Sequence, residues 1–326
     1  MRKLSYVHAL NEALRQILAS DEKTILIGQG VNNPWYVGRS TVGLGEYFGY
    51  DRVIDTPVSE ACTTGVSIGA ALASLRPILV FPRMDFMYLA LDQIANHAAN
   101  WNFMFGGQRG VPMVIWAIIN RGGEQAAQHS QAIQSMFAHI PGLKVVAPSS
   151  PHDIKGAFIS SINDGNPVII VDDRWLYDEI GDVPENMYSI PIDQGQIIVE
   201  GCDVTIAASS YMTVEAVKAA KELLQYNITA EVIDLRSLKP IDENTIITSV
   251  CKTGHLVIAD GGWKTCGVSA EVAAIAGEKA FFNLKAPILR VTLADAPAPA
   301  SSILEKAYYP KAQQITSSVM QLLKTE

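Results

Sequence analysis

Short aliphatic runs alternate along this chain with longer stretches of helical periodicity, and that alternation restricts its fold more than any other feature. Residues 24–27, 52–54, 78–81, 113–119, 144–147 and 167–171 read as short strands. Between or beside them, 6–19, 61–74, 89–105, 131–138 and 151–163 carry the spacing of helices. A strand that is apolar along its whole length has no face to offer to water. Such strands predict a parallel sheet covered by helices on both sides.

The same alternation resumes later, with strands expected at 204–208, 230–233, 256–259 and 288–291 and helices at 213–224, 243–250, 269–276 and 312–323. Between the two series, 177–201 holds Pro184, Pro191 and several acids with weak periodicity, and reads as a linker. The expectation is therefore two α/β domains, 1–190 and 191–326, a comfortable division of 326 residues. A hydrophobic fraction of 48% against 18% charged supports large cores and suggests apolar surface covered by other subunits. The net charge of −8 argues against nucleic acid or an anionic membrane as a partner. Arg76 and Pro77 interrupt the longest apolar run, 66–81, so no membrane span is expected. The first residues lack the apolar core of a signal segment, and Cys62, Cys202, Cys251 and Cys266 are widely scattered. Reduced thiols in the cytoplasm fit that pattern.

Glu60 stands in Asp55-Thr56-Pro57-Val58-Ser59-Glu60-Ala61, just ahead of a helix rich in small residues. An acid among apolar and small neighbours is expected to be poorly hydrated, and either keeps its proton or holds a basic nitrogen. The plainer alternative is a helix cap. Gly65-Val66-Ser67-Ile68-Gly69 matches the nucleophile elbow of α/β-hydrolases, but no strand precedes it. Gly65, Gly69 and Ala73 share helical spacing instead, which favours close helix packing, including across a subunit interface. Gly28-Gln29-Gly30 follows a strand, yet it lacks the third glycine and the helix of a dinucleotide loop.

Gln128-His129-Ser130-Gln131 lies in a glycine-opened loop after strand 113–119, where parallel sheets place their ligands. His129 could exchange a proton with a developing oxyanion there, or be a structural histidine at a helix start. Phe86, after strand 78–81, could stack on a planar ring or belong to the core. No phosphate loop, zinc-protease helix or calcium loop occurs. Also missing is the Gly-Asp-Gly that thiamine enzymes follow with Asn-Asn to hold a metal diphosphate.

The segment 55–61 resembles the β subunit of the E1 component of 2-oxo acid dehydrogenase complexes, a family within the transketolase-like thiamine superfamily. Leu91-Asp92-Gln93-Ile94, Gly106-Gly107-Gln108, Gln128-His129-Ser130-Gln131 and the run from Pro141 to Pro148 extend the likeness. Further matches follow from Ala230 to Arg236 and from Leu289 to Thr292, so nearly the whole chain is covered. The resemblance implies two three-layer α/β/α domains: a pyrimidine-binding transketolase-like domain with a parallel sheet, then a smaller transketolase C-terminal domain.

The resemblance also assigns roles. Glu60 would hydrogen-bond a ring nitrogen of the aminopyrimidine of thiamine diphosphate and favour the imino tautomer that deprotonates the thiazolium carbon. Phe86 would stack on that ring, with Val58 and Pro82 beside it, and His129 would act next to the substrate. A structural potassium ion would lie among Met113, Ser161, Ile162, Asp164 and Asn166, whose oxygens suit a hard cation. An α subunit would supply Mg²⁺ and the diphosphate site, within an α2β2 heterotetramer that works with a lipoyl-bearing E2.

The chain departs from the family in the loops facing the substrate. Gln29 replaces the usual acid, 31–40 differs from the glycine-rich family loop, and Pro82-Arg83 replaces residues that are usually neutral and flexible. These changes bear on which substrate and acceptor are used. The leading expectation is oxidative decarboxylation of pyruvate or a close relative with acyl transfer to lipoyl-E2. Transketolase-like two-carbon transfer is the alternative, since Arg83 could hold a phosphate or a second carboxylate. A non-catalytic assembly subunit is the third, and a hydrolase the last.

Overall fold

The computed structural model describes residues 2–33 and 37–324. Pro34, Trp35 and Tyr36, within the divergent loop 31–40, lie outside the described residues. The chain forms two compact units. The first comprises Met1–Arg121 with Met136–Ile192, and the second Gly122–Ser135 with Asp193–Glu326.

In the first unit, parallel strands run in the spatial order Lys144–Val146, Val168–Asp173, Val114–Ile119, Arg76–Phe81, Thr24–Gly28 and Val53–Asp55. Every residue of Thr24–Gly28, Val114–Ile119 and Val168–Asp173 is buried, so these strands are covered on both faces. Helix Tyr6–Ser20 buries Val7, Leu10, Leu14, Ile17 and Leu18, one stripe at helical spacing, against helix Pro151–Ile162. Each such aliphatic side chain contributes roughly 1.5–3 kcal/mol by leaving water. The second of these helices starts where the chain provides both stop and cap: Pro151 occupies its first turn and the Ser150 hydroxyl accepts the N–H of Asp153 at 3.1 Å.

In the second unit, Leu289–Leu293, Leu256–Trp263, Val204–Ala208 and Ala230–Asp234 are parallel, and Gln196–Val199 adds an antiparallel edge. The central strands Val204–Ala208 and Ala230–Asp234 are again buried throughout. Helices Glu243–Thr253 and Val268–Lys279 pack together, as do Tyr211–Leu223 and Ala312–Leu323, and each pair lies against the sheet. The final helix has the expected bounds and buries Ala312, Ile315, Val319 and Leu322. Both units are thus α/β with helical layers over a largely parallel sheet. Among the described residues no helix is long and apolar enough to cross a membrane.

Three expectations need correction. The single helix at 89–105 is instead a 3-10 stretch, Met84–Ala90, a π-helix, Gln93–Ala98, and a short α-helix, Trp101–Met104. Met84, Met87 and Ala90 are its buried apolar residues, and they recur at every third position, the period of a 3-10 helix rather than an α-helix. The stretch 177–201 is not merely a linker. Ile180–Val183 pairs antiparallel with Arg2–Ser5, and Gln196–Val199 pairs antiparallel with Ala230–Asp234. Both are partly exposed edge strands, so neither carries the continuous apolar run that marks a central one. The helix at 131–138 begins only at Gln134 and runs Gln134–Ala138.

Candidate active site

The strand order of the first unit reverses at Thr24–Gly28. The chain lays Val53–Asp55 on one side of it and then crosses to place Arg76–Phe81 on the other. Open parallel sheets bind ligands at such a reversal, outside the carboxyl ends of the strands. A cleft of about 270 Å³ lies there, and strand-end residues Gly28, Gln29, Phe81 and Pro82 border it together with Thr56, Ser59, Glu60 and Thr63.

Gly28 allows the strands to close. A Cβ at this position would stand 2.6 Å from the Val80 carbonyl oxygen, so any side chain would push the two strands apart. The turn beyond it is held by two bonds: Thr56 N–H donates to the Gly28 carbonyl at 3.1 Å, and Gly30 N–H donates to the Asp55 carboxylate at 2.7 Å. Asp55 was not singled out in the sequence. Its position as the last residue of a strand beside a glycine turn is the signal that could have found it.

Glu60 opens helix Glu60–Leu72 at the positive end of the helix dipole. It is half-buried rather than sealed from water, because it stands at the rim of the cleft. It is not the helix cap either: Ser59 holds that position, and the Glu60 carboxylate makes no hydrogen bond or ion pair among the described residues. Behind it the helix is stitched by hydroxyls. Thr63 donates to the Ser59 carbonyl at 2.8 Å, Thr64 to that of Glu60 at 2.7 Å, and Ser67 to that of Thr63 at 2.8 Å. Ser67 is fully buried and bonded in mid-helix, so the nucleophile-elbow reading fails. Gly65 and Gly69 lie on the exposed face, where an added Cβ would meet nothing within 4 Å.

The remaining expected residues are distributed as follows. Gln29 and Pro82 border the cleft with Glu60. Phe86 is half-buried in Met84–Ala90, Val58 is 68% exposed, and neither borders the cleft. Arg83 is half-buried and donates to the Pro82 carbonyl at 2.7 Å. His129 is half-buried and belongs to the second unit. Its loop bends through positive φ at Gly122, Gly123, Glu124 and Ala126. Glu305 accepts the Glu124 N–H at 3.0 Å, which ties that loop to helix Ser302–Tyr308.

Ser161 and Ile162 end helix Pro151–Ile162 in the first unit, and Asp164 and Asn166 follow in the turn that leads to strand Val168–Asp173. Ser161 carbonyl accepts the Asp164 N–H at 3.1 Å and also the Asn163 N–H, and Met113 carbonyl accepts the Val168 N–H at 3.0 Å. The Asp164 carboxylate already bonds Lys144 and the Asn166 N–H. Among the described residues, no group of three or more His, Cys, Asp or Glu is arranged to hold a metal.

Residues 2–179 match the family described as transketolase, pyrimidine binding domain, and 193–315 match transketolase, C-terminal domain. The chain is 40% identical to the acetoin:2,6-dichlorophenolindophenol oxidoreductase subunit beta of Cupriavidus necator, over 99% of this chain and 98% of that one. It is 42% identical to the pyruvate dehydrogenase E1 component subunit beta of Rickettsia felis, over 95% of each. The corresponding mitochondrial subunit of Bos taurus is 39% identical, over 97% of this chain and 89% of that one. Among solved structures, a chain described as split gene transketolase, inactive beta4 tetramer, shares the fold with a TM-score of 0.81 at 21% identity, covering 98% of both chains. With these relatives and both of its units matched, the chain belongs to the transketolase-like family of 2-oxo acid dehydrogenase E1 β subunits.

Proposed function

We propose that this chain is the β subunit of a thiamine diphosphate-dependent 2-oxo acid dehydrogenase that acts with an α-type chain on pyruvate or a close relative. The observation that carries the reading is the Glu60 carboxylate, without a hydrogen bond or ion pair among the described residues and placed by its helix at the rim of a cleft at the sheet's reversal point. An aminopyrimidine fits it, because a carboxylate there can share a proton with a ring nitrogen. Bound thiamine diphosphate would supply the carbon nucleophile and take up the electron pair released with carbon dioxide. Glu60 would hold the proton at the ring nitrogen, Pro82 and Phe81, which border the cleft, would confine the ring, and His129 would deliver a proton to the substrate oxygen. The acyl group would pass to a lipoyl-bearing partner.

Mg²⁺ and the diphosphate would be held by the α-type chain, within an α2β2 assembly. Carbonyl oxygens of Met113, Ser161, Ile162 and Asn166 would carry a potassium ion, with Asp164 shared with Lys144. A rise in thermal midpoint with potassium but not sodium would support that site. Residues 1–190 would form the pyrimidine-binding half and 191–326 the second domain. The four free, exposed cysteines suit a reducing compartment, and the cytoplasm is the one proposed.

The test is co-expression with an α-type chain that carries the diphosphate signature, followed by assay of 2-oxo acid decarboxylation with a dye acceptor and then a lipoyl domain. Turnover of pyruvate or a branched 2-oxo acid is expected. Failure with every 2-oxo acid, alongside two-carbon transfer to a sugar phosphate, would replace the reading with ketol transfer, which Arg83 beside Pro82 would then serve.

A further inference from the structure

We infer that Asp172 is a positioning residue: through the Tyr177 hydroxyl it fixes the ring against which Gly38 rests, and so sets the place of the segment Gly38–Thr41. Any effect on turnover rests on the proposed function, in which loop 31–40 faces the substrate. The positioning itself does not.

Tyr177 hydroxyl donates to Asp172 Oδ2 at 2.8 Å, and the Trp116 indole N–H donates to the same oxygen at 2.8 Å. Asp172 is fully buried in strand Val168–Asp173, and its Oδ1 has no hydrogen-bond partner. The other end of the connection is steric. Gly38 has φ +64°, and a Cβ there would lie 2.8 Å from Tyr177 Cε2, so segment and ring are in direct contact. The Asn11 side chain holds the same segment from helix Tyr6–Ser20, donating to the Ser40 carbonyl at 2.8 Å. Arg39 pairs with Asp178 at 2.9 Å, but both are exposed and such pairs add little.

The groups around Asp172 make the connection sensitive to pH. Tyr6 faces it from helix Tyr6–Ser20, Trp116 from strand Val114–Ile119, and Arg174 and Tyr177 from the turn after its own strand. Asp173 is next along the chain and pairs with Arg121 at 2.7 Å, while Asp153, from helix Pro151–Ile162, acts on Tyr6. Burial pushes Asp172 up to about 6, against the opposing pull of Trp116, Tyr177 and Arg174. Burial, with Asp172, also holds the Tyr6 and Tyr177 hydroxyls well above their ordinary range, so both remain donors. Ionised Asp172 accepts two charge-assisted bonds; the protonated group accepts weaker ones. The hold on Tyr177 therefore slackens as pH falls through about 6.

Hydrogen exchange of the full chain, read by mass spectrometry from pH 5 to 8 and corrected for intrinsic rates, tests this. Wild type, Tyr177→Phe and Asp172→Asn are compared at the peptide covering 37–42, with 204–208 as the reference. At pH 7.5 both variants should exchange about tenfold faster at 37–42 and unchanged at 204–208. Wild type should approach their rate at pH 5. Wild-type rates at 37–42 in both variants, no pH step in wild type, or an equal rise in every peptide would overturn the assignment. Should either variant fail to fold, the wild-type pH series decides alone. In the reconstituted enzyme, Tyr177→Phe should raise KM for the 2-oxo acid with kcat nearly unchanged. Altered exchange with unaltered KM would uphold the positioning and remove the loop from the substrate's side.

Discussion

The Asp55 carboxylate accepts the backbone N–H of Gly30 at 2.7 Å. Gly28 and Asp55 are direct partners on adjacent strands, so this bond fastens the turn after one strand to the end of the next. Gln29, between Gly28 and Gly30, borders the cleft and is held with it. Asp55→Ala should cost about 1.5–3 kcal/mol, the range for hydrogen bonds to charged groups. Urea unfolding would measure that loss, and weaker binding of a thiamine analogue to the assembled enzyme should accompany it. Unchanged stability would mean that the turn holds without the bond.

Glu60→Gln preserves shape and removes the charge. In the complex with an α-type chain, exchange of the cofactor's C2 proton should slow by roughly 10²–10⁴, the usual contribution of a positioned acid–base group. Assembly, read by gel filtration, should be unaffected, since the Glu60 side chain makes no bond among the described residues. Normal exchange would take Glu60 out of its proposed role.

Asp172 makes stability depend on pH with a definite sign. Its folded value is raised from 3.8 to about 6 by burial, so between these values the folded chain holds a proton that the unfolded chain has lost. Stability should be greatest below this window, fall as pH rises through it and level off above, by about 3 kcal/mol in total. Asp172→Asn cannot ionise and should flatten that part of the profile. Superimposable wild-type and variant profiles of unfolding free energy would count against the assignment.

Lys155 is fully buried, and its side-chain nitrogen is fully engaged. Its ammonium bonds Glu12 and donates to the Pro184 and Glu185 carbonyls at 2.7 and 3.1 Å. The bonds join helices Tyr6–Ser20 and Pro151–Ile162 to the chain after Val183. Lys155→Ala would leave Glu12 its pairing with Arg2 but strand two carbonyls, and should cost about 1–3 kcal/mol. The double change Lys155→Met with Glu12→Gln should be milder, because the charge that loses its partner, Arg2, is exposed to water. Equal losses in thermal unfolding would show that packing, not charge, is what the site needs.

Much of the fold was legible because its signals are local. Val114–Ile119 and the first four residues of Val168–Asp173 announce themselves as unbroken apolar runs, and Ala312–Leu323 by its stripe. Met84–Ala90 was not legible, since a three-residue period over so short a span is easily taken for part of a longer helix. Ile180–Val183 and Gln196–Val199 were hidden because half-exposed edge strands look like turns. At the site, Glu60 stood out by its neighbours, but whether it capped the helix depended on where its carboxylate could reach. Asp55 and the Asp172–Tyr177 pair were not legible. Both work through partners 25 and 139 residues away in the chain, Asp55 on Gly30 and Tyr177 on Gly38.

The sequence by itself determined the order of helices and strands, the two-part α/β plan and the motifs that mark the family, because period and spacing are properties of neighbouring residues. Only the tertiary structure decided that the sheet reverses at Thr24–Gly28, that Glu60 opens onto the cleft there without a partner among the described residues, and that Asp172 reaches Gly38 through one tyrosine. Those outcomes depend on which distant strands pair and on what burial excludes. Neither is written in any local stretch of residues.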